Sequence, residues 1–381
     1  MTHFLKDILR QPEELRRTIE LLAGPNGAGR GALEAAATAA ARGARHVYLT
    51  GIGSSWHAAL NVSVLFHQHA YPVHLHDAAE LLAFAEFPKD SAMIIISRSG
   101  KSTEIVQLAR KARQAGVTVI GITNAPEGTL AKEAHHAIVV PITFDHAISV
   151  NTYETLALAA GMLASSVVAE GEKADSSGKN RPRNDKSGVS QPTNAPELTD
   201  SLSRAFAEAG RAIPRWQEQI AASDWLKPHS ATYFLARGSS LGSAYEARLM
   251  WEEGVKTPAT AIGMGGFRHG PQEVIAKEMR FGIWIDGAHM REQDLAVARD
   301  LRKLGASVML IGQKLSEDAG DLVFQLPVIP PEWQFLIDII PAQLVAERLA
   351  GLSGVDCDTF RLCSFIVEDE GGLLPNEKTK N

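Results

Sequence analysis

Residues 97–103 read Ser-Arg-Ser-Gly-Lys-Ser-Thr and follow directly on the apolar run Ile94-Ile95-Ile96. A strand that empties into a helix needs one capping hydroxyl and at most one glycine. Three serines, a threonine and two cations exceed that need. Hydroxyl donors at a helix opening suit an anion, because the first turn carries unpaired N–H groups and partial positive charge. Gly100 allows close backbone approach. A second run of the same kind, Gly51-Ile52-Gly53-Ser54-Ser55, follows the apolar stretch 47–50. Clustered hydroxyls fit a phosphate group, and Arg98 and Lys101 add charge beside it. The plainer alternative makes Ser97, Ser99 and Ser102 helix caps only, which accounts for one hydroxyl and leaves the rest.

A second group of candidates lies further along. Glu246 and Glu253 are seven residues apart in "EARLMWEEGVK" (246–256), which puts them on one face of a helix, two turns distant. Glu252 points about 100° away from that face. His269 sits in "GFRHGP" (266–271). A carboxylate and a histidine can move protons in general acid–base chemistry. Taken without context, they also read as a surface helix carboxylate and a turn histidine.

The elements that must position these residues repeat. "VYLTGIGSSWHAALNV" (47–62) parallels "TYFLARGSSLGSAYEA" (232–247): apolar strand, Gly-Ser-Ser, small-residue helix. "ARKARQAGVTVIGIT" (109–123) parallels "ARDLRKLGASVMLIG" (298–312): amphipathic helix, glycine stop, apolar strand. Strands apolar throughout and alternating with helices predict parallel sheets covered on both faces. Ligands then sit beyond the carboxyl ends of the strands, where both serine runs fall. At the place of "SRSGKST" the second half has "IDGAHMRE" (285–292), without a serine. A loop needed only for folding should persist in both copies, so its loss from one favours a ligand role for the other.

Between the halves, "EGEKADSSGKNRPRNDKSGVSQPTNAPE" (170–197) has almost nothing to bury and reads as a flexible linker. The expected domains are a helical arm at 1–30, a first α/β domain at 31–169, the linker at 170–197, a second domain at 198–351 and a tail at 352–381. Across the 381 residues hydrophobic content is 45%, charged content 22% and formal net charge −6. No overall basicity points to nucleic acid or to an anionic membrane. Two cysteines, Cys357 and Cys363, argue against a disulfide framework. The first 22 residues mix charge into every turn, unlike a signal peptide. The uncharged stretch Thr155–Ala169 is shorter than the roughly 20 residues a bilayer requires. These features predict a cytoplasmic protein.

Other signals carry less. His67, His69, His74 and His76 cluster, with His74 and His76 alternating on a predicted strand, but no metalloenzyme pattern adjoins them and no metal is expected. Asp77 and Glu80 have capping-box spacing. His135 and His136 are expected in a loop, and "GPNGAGRG" (24–31) in a turn with no strand before it.

Taken together, the motifs resemble the sugar isomerase (SIS) superfamily, in particular the two-domain isomerase half of glucosamine-6-phosphate synthase. "FLKDILRQPEELRRTI" is similar to that family's N-terminal K-E-I-x-E-Q-P helix, "SRSGKST" to its S-x-S-G-E-T loop, and "GFRHGP" to its G-E-L-K-H-G-P signature. The resemblance implies two tandem SIS domains, each a parallel-sheet three-layer α/β/α sandwich. It implies a phosphosugar held by Gly53, Ser54, Ser55, Ser97, Arg98, Ser99, Gly100 and Ser102, with Glu253 moving a proton and His269 helping to open the ring. It also implies a homodimer with shared active sites, no cofactor, and no nucleic-acid or membrane partner. Glu246, Lys101 and Arg361 are supporting candidates.

Two departures stand out. Met250 replaces the family's lysine, and "DTFRLCSF" (358–365) has Arg361 but no lysine where the family's tail has one. No glutaminase portion is expected, so glutamine would not be hydrolysed. The implied activity is isomerisation of a hexose 6-phosphate, with or without ammonia release. The alternatives are a sugar-phosphate-sensing module without turnover, and an isomerase served by a separate glutaminase.

Overall fold

The structure is a computed structural model that describes residues 1–176, 195–227, 231–363 and 366–367. It contains two five-stranded sheets, every pairing parallel.

The first sheet comprises β1 (His46–Thr50), β2 (His74–Leu75), β3 (Ser91–Ile96), β4 (Thr118–Thr123) and β5 (His136–Val139), in the order β2-β1-β3-β4-β5. All six residues of β3 are buried, as a central strand covered on both faces requires. On one face Met93, Ile95 and Val119 pack with Ile105, Leu108 and Ala112 of the helix Thr103–Gln114. The helices Arg30–Gly43 and Ser54–His67 also lie against the strands, outside that cluster. The chain adds β2 on one side of β1, then crosses back and adds β3, β4 and β5 on the other. Strand order therefore reverses between β1 and β3. Their register, His46 opposite Ser91 through Thr50 opposite Ile95, brings the two following loops out at the same end.

The second sheet repeats this plan. Its strands β6 (Thr232–Ala236), β7 (Thr260–Gly263), β8 (Arg280–Trp284), β9 (Ser307–Gly312) and β10 (Leu322–Gln325) run in the order β10-β9-β8-β6-β7. Phe281, Ile283 and Val308 pack with Ala298 and Leu301 of the helix Arg291–Lys303. The reversal here falls between β6 and β8. Two parallel sheets with one strand plan are what the internal sequence repeat predicts.

The compact units are not colinear with the repeat. Residues Met1–Arg16, Asp145–Asn151 and Thr199–Thr359 form one unit; the described residues of Arg17–Phe144, Thr152–Leu198 and Phe360 onward form the other. A buried polar network holds 145–151 in the first of these. Asp145 accepts hydrogen bonds from the amides of Val150 (2.9 Å) and Asn151 (3.1 Å), from Asn151 Nδ2 (2.7 Å) and from Arg10 (3.2 Å). Asp7 accepts from the His146 amide at 2.9 Å, and burial raises its carboxyl pKa.

Several local readings change. The helix that contains the uncharged stretch runs from Asn151 to Ser176. Its segment Asn151–Lys173 is long and apolar enough to cross a membrane by length and composition, although 83% of its most apolar window is buried in the protein. Most of its apolar surface thus faces protein. The helix enters the expected linker as far as Ser176, and the next begins at Ala195; the linker residues 177–194 and tail residues 368–381 lie outside the described residues. β2 spans only two residues, so His76 lies beyond it, and His136 opens β5 rather than ending a loop. Asp77 caps the helix Ala78–Phe84, accepting from the Ala79 amide at 2.8 Å.

Replacing Asp145 with alanine removes a carboxylate with no exposed side-chain surface, and leaves three donors and Arg10 without it. Breaking a buried charged network costs about 3–5 kcal/mol. Urea unfolding of Asp145→Ala should show a loss of this order, and Asp145→Asn a smaller one.

Candidate active site

In a parallel sheet of order 2-1-3-4-5, the loops after the first and third strands flank the point where strand order reverses, and the crevice there is the usual ligand position. Residues 51–55 leave β1 and residues 97–102 leave β3. Both serine runs therefore stand at the reversal point of the first sheet.

The 97–102 loop is braced from within. Ser97 Oγ accepts the Gly100 amide at 3.1 Å and Ser99 Oγ accepts the Lys101 amide at 3.2 Å. A hydroxyl that accepts keeps its own proton to donate. Ser102 occupies the N-cap position of the helix Thr103–Gln114, yet its side chain makes no capping bond. The caps-only account therefore fails for the residue best placed to satisfy it. The Thr103 amide is taken by the Val367 carbonyl at 3.0 Å. Gly100 has φ +59°, and a Cβ there would lie 3.1 Å from Leu130 Cβ. Gly53 caps the helix Ser54–His67 with φ +56°, and Ser55 is buried beside the half-buried Ser54. Arg98 is half-buried and Lys101 exposed.

The support for this loop comes from residues the motif did not include. The Arg98 carbonyl accepts Thr123 Oγ1 at 3.1 Å and the Asn124 amide at 3.3 Å. Asn124 Nδ2 donates to the Val140 carbonyl (3.0 Å) and to Thr155 Oγ1 (3.1 Å). At Gly128 a Cβ would fall 2.5 Å from the Ser99 carbonyl oxygen. The available signal was "TNAPEG" (123–128), a cluster of turn residues after β4.

The equivalent crevice of the second sheet is filled by the protein itself. Ser240, from the Gly-Ser-Ser after β6, donates to Asp338 Oδ2 at 2.6 Å, and Ser239 donates to the Pro331 carbonyl at 3.0 Å. Arg237 pairs with buried Asp294 at 2.7 Å. Burial raises the Asp294 carboxyl pKa, with Arg237 pulling against it. Asp338 is wholly buried, and desolvation pushes its carboxyl up to about 7 against the hydrogen bonds from Ser240, Ser243, Gln334 and Trp284.

The glutamates of the second half part company. Glu246, on the helix Leu241–Met250, is 1% exposed, whereas Glu253 is half-buried. Glu253 lies in the π-turn Trp251–Val255, whose wider winding shifts it from the phase a continuous α-helix would give. The expected shared face is thus not kept. Glu252 pairs with Arg248 at 3.6 Å and is half-buried rather than solvated. Met250 is fully buried, so this position fills core. His269 is exposed in the turn before Gly270, whose φ of +131° favours glycine. Arg361 is exposed. Among the described residues no group of three or more histidines, cysteines or carboxylates could hold a metal; of the histidine cluster, His74 meets His46 at 3.3 Å and His69 meets Glu172 at 3.7 Å.

The SIS domain profile matches residues 42–166, the stretch that carries β1 to β5 and both serine loops. That stretch is similar to a SIS domain. Along its length the chain resembles the isomerase half of the glutamine–fructose-6-phosphate aminotransferases. The isomerizing enzyme of Symbiobacterium thermophilum is 25% identical over 367 residues, covering 93% of this chain and 57% of that protein. The chain thus spans a little over half the length of such relatives. Two solved structures share the fold: glucosamine-6-phosphate deaminase of Thermotoga maritima, with TM-score 0.74, 22% identity and 96% and 99% of the two chains covered, and tagatose-6-phosphate ketose/aldose isomerase of Escherichia coli, with TM-score 0.73, 21% identity and 94% and 95% covered.

Two outcomes follow. Gly128→Ala forces the Ser99 carbonyl aside and should lower stability by about 1–3 kcal/mol in urea unfolding, as overpacking does. For Asp338 the sign is set by a folded pKa near 7 against about 3.9 unfolded. Between those values the folded state holds a proton that the unfolded chain has lost, so this contribution is full below about pH 4 and fades as pH rises through 7. The urea midpoint of Asp338→Asn should fall less steeply than wild type across that window.

Proposed function

We propose that the protein is a sugar-phosphate isomerase acting on a hexose 6-phosphate, with an amino-substituted sugar as its substrate class. The observation that carries this reading is the contrast between the two crevices. In one, Ser97 and Ser99 accept amides of their own loop; in the other, the serines are engaged by Asp338 and a backbone carbonyl. The phosphate is assigned to Gly53, Ser54, Ser55, Ser97, Arg98, Ser99, Gly100 and Ser102, with Lys101 adding charge. Hydroxyl donors, a helix start and two cations balance a phosphomonoester dianion.

Glu253 takes the proton from C2 of the open-chain aldose and returns it at C1 through an enediol or enolamine. With an amine at C2, that transfer leaves a C2 imine, which water converts to the ketose and ammonia. His269 assists ring opening. Glu246, buried two turns before, orients a neighbouring residue, and Arg361 stands as a supporting residue in the tail. Fully buried Met250 cannot supply the cation that the resembling enzymes carry at this place, so the ring-opening chemistry differs from theirs. The same reading makes the protein a homodimer in which His269 serves the neighbouring copy's sugar. The neighbours named for glucosamine-6-phosphate deamination and for ketose/aldose isomerisation support this class of reaction.

The test is ammonia release from glucosamine, galactosamine and fructosamine 6-phosphates, together with interconversion of glucose and fructose 6-phosphates. Turnover of one sugar should fall by about a hundred- to ten-thousand-fold in Glu253→Gln, the range for loss of a general base. Thermal stabilisation by a sugar phosphate without any turnover would replace this reading with a sensing module.

A further inference from the structure

We infer that Lys256 is a positioning residue for Glu253, which rests on the isomerase reading above. Lys256 follows the π-turn in a left-handed conformation, φ 57° and ψ 32°. That position at a helix end is usually glycine or asparagine, since a long side chain there is strained. Its presence asks for a compensating contact, and the ammonium provides one. Lys256 Nζ donates to the carbonyl of Glu253 itself and, at 2.8 Å, to the carbonyl of Thr359.

The clamp acts on the turn that carries the proposed base. The amides of Lys256 and Thr257 both donate to the Trp251 carbonyl, the latter at 3.1 Å, so the backbone closes around residues 252–255. Within the turn, a Cβ at Gly254 would come 2.8 Å from Ile148 Cδ1. One side of the turn is pressed on the core, and Lys256 fastens the other to the start of the tail. That segment is itself tied down: Asp356 accepts the Asp358 amide (2.9 Å) and Thr359 Oγ1 (3.0 Å), and Asp358 accepts the amides of His3 (2.7 Å) and Phe4 (2.8 Å). A π-turn left loose could relax toward α-helix and swing the Glu253 side chain around the axis. The ammonium holds one winding by gripping the carbonyl of the residue that must be placed.

The experiment pairs amide hydrogen exchange over residues 251–257 with kinetics, in Lys256→Met, Lys256→Gly and Lys256→Arg. Met removes the ammonium and keeps the stem; Gly also removes the backbone strain and guards against a Met variant that fails to fold. Exchange in the turn should quicken at least tenfold in both, and kcat should fall about tenfold with KM within twofold, while Arg restores both. Wild-type exchange in the Met and Gly variants would overturn the inference. So would a loss that appears in KM rather than kcat. If the wild-type protein turns over no sugar phosphate, the isomerase reading fails with it, while unchanged or quickened exchange still decides whether the clamp exists.

Discussion

Strand order reverses between β1 and β3, and the placement of the candidate chemistry in the first sheet depends on that reversal. β3 is buried throughout and β1 at three of its five residues, so neither strand offers a hydrated ligand a face along its length. Only their carboxyl ends are free to present polar groups. The helix Thr103–Gln114 belongs to one packed face, while Ser54–His67 stands outside that cluster. Chains diverging at a reversal leave a crevice with no loop crossing it. Two helix starts and their serines meet that opening because the register of β1 with β3 ends them at one level.

The second sheet shows the same geometry with its serines engaged by the chain itself. Its Gly-Ser-Ser survives in sequence, yet Ser240 binds Asp338 and Ser239 binds a backbone carbonyl. An empty crevice lined by donors would leave buried polar groups unsatisfied, at about 1–3 kcal/mol each. A carboxylate from the chain satisfies the serine, but its own desolvation lifts its pKa to about 7. In the second sheet the acceptor is supplied from within, whereas Ser97 and Ser99 of the first sheet accept amides of their own loop.

Much of this was legible in the residues. Apolar strands such as Ile94-Ile95-Ile96 dictated parallel pairing and burial on both faces, and the serine runs had to follow them. The repeat of "GSS" foretold a repeated sheet. Less legible was anything that depends on contacts distant in sequence. Asp338 lies 98 residues from Ser240, and nothing near it marks a partner for a serine. Asn124 looked like a turn residue, and its role in holding the Arg98 carbonyl emerges only once β4 lies beside β3. The π-turn was hidden for another reason. A seven-residue spacing between Glu246 and Glu253 assumes unbroken 3.6-residue winding, and sequence periodicity cannot register one wider turn at a helix end. Full burial of Glu246 beside half-burial of Glu253 reveals the break in phase.

That break bears on how a carboxylate is presented at all. A glutamate kept in phase with Glu246 would point into the same packed interior. Half-burial leaves Glu253 in touch with solvent while its backbone is held in the turn. The wider turn supplies that change of direction, Gly254 admits the close approach of Ile148, and the left-handed Lys256 closes the backbone behind it. Each residue here is unfavourable by local propensity: a glycine near a helix end, a lysine at positive φ, a winding with poorer hydrogen bonds. Together they hold one arrangement, since the hydrogen bonds to the Trp251 carbonyl and the lysine ammonium exist only in it. Local strain at this turn is thus the physical counterpart of a carboxylate held at the boundary between core and solvent.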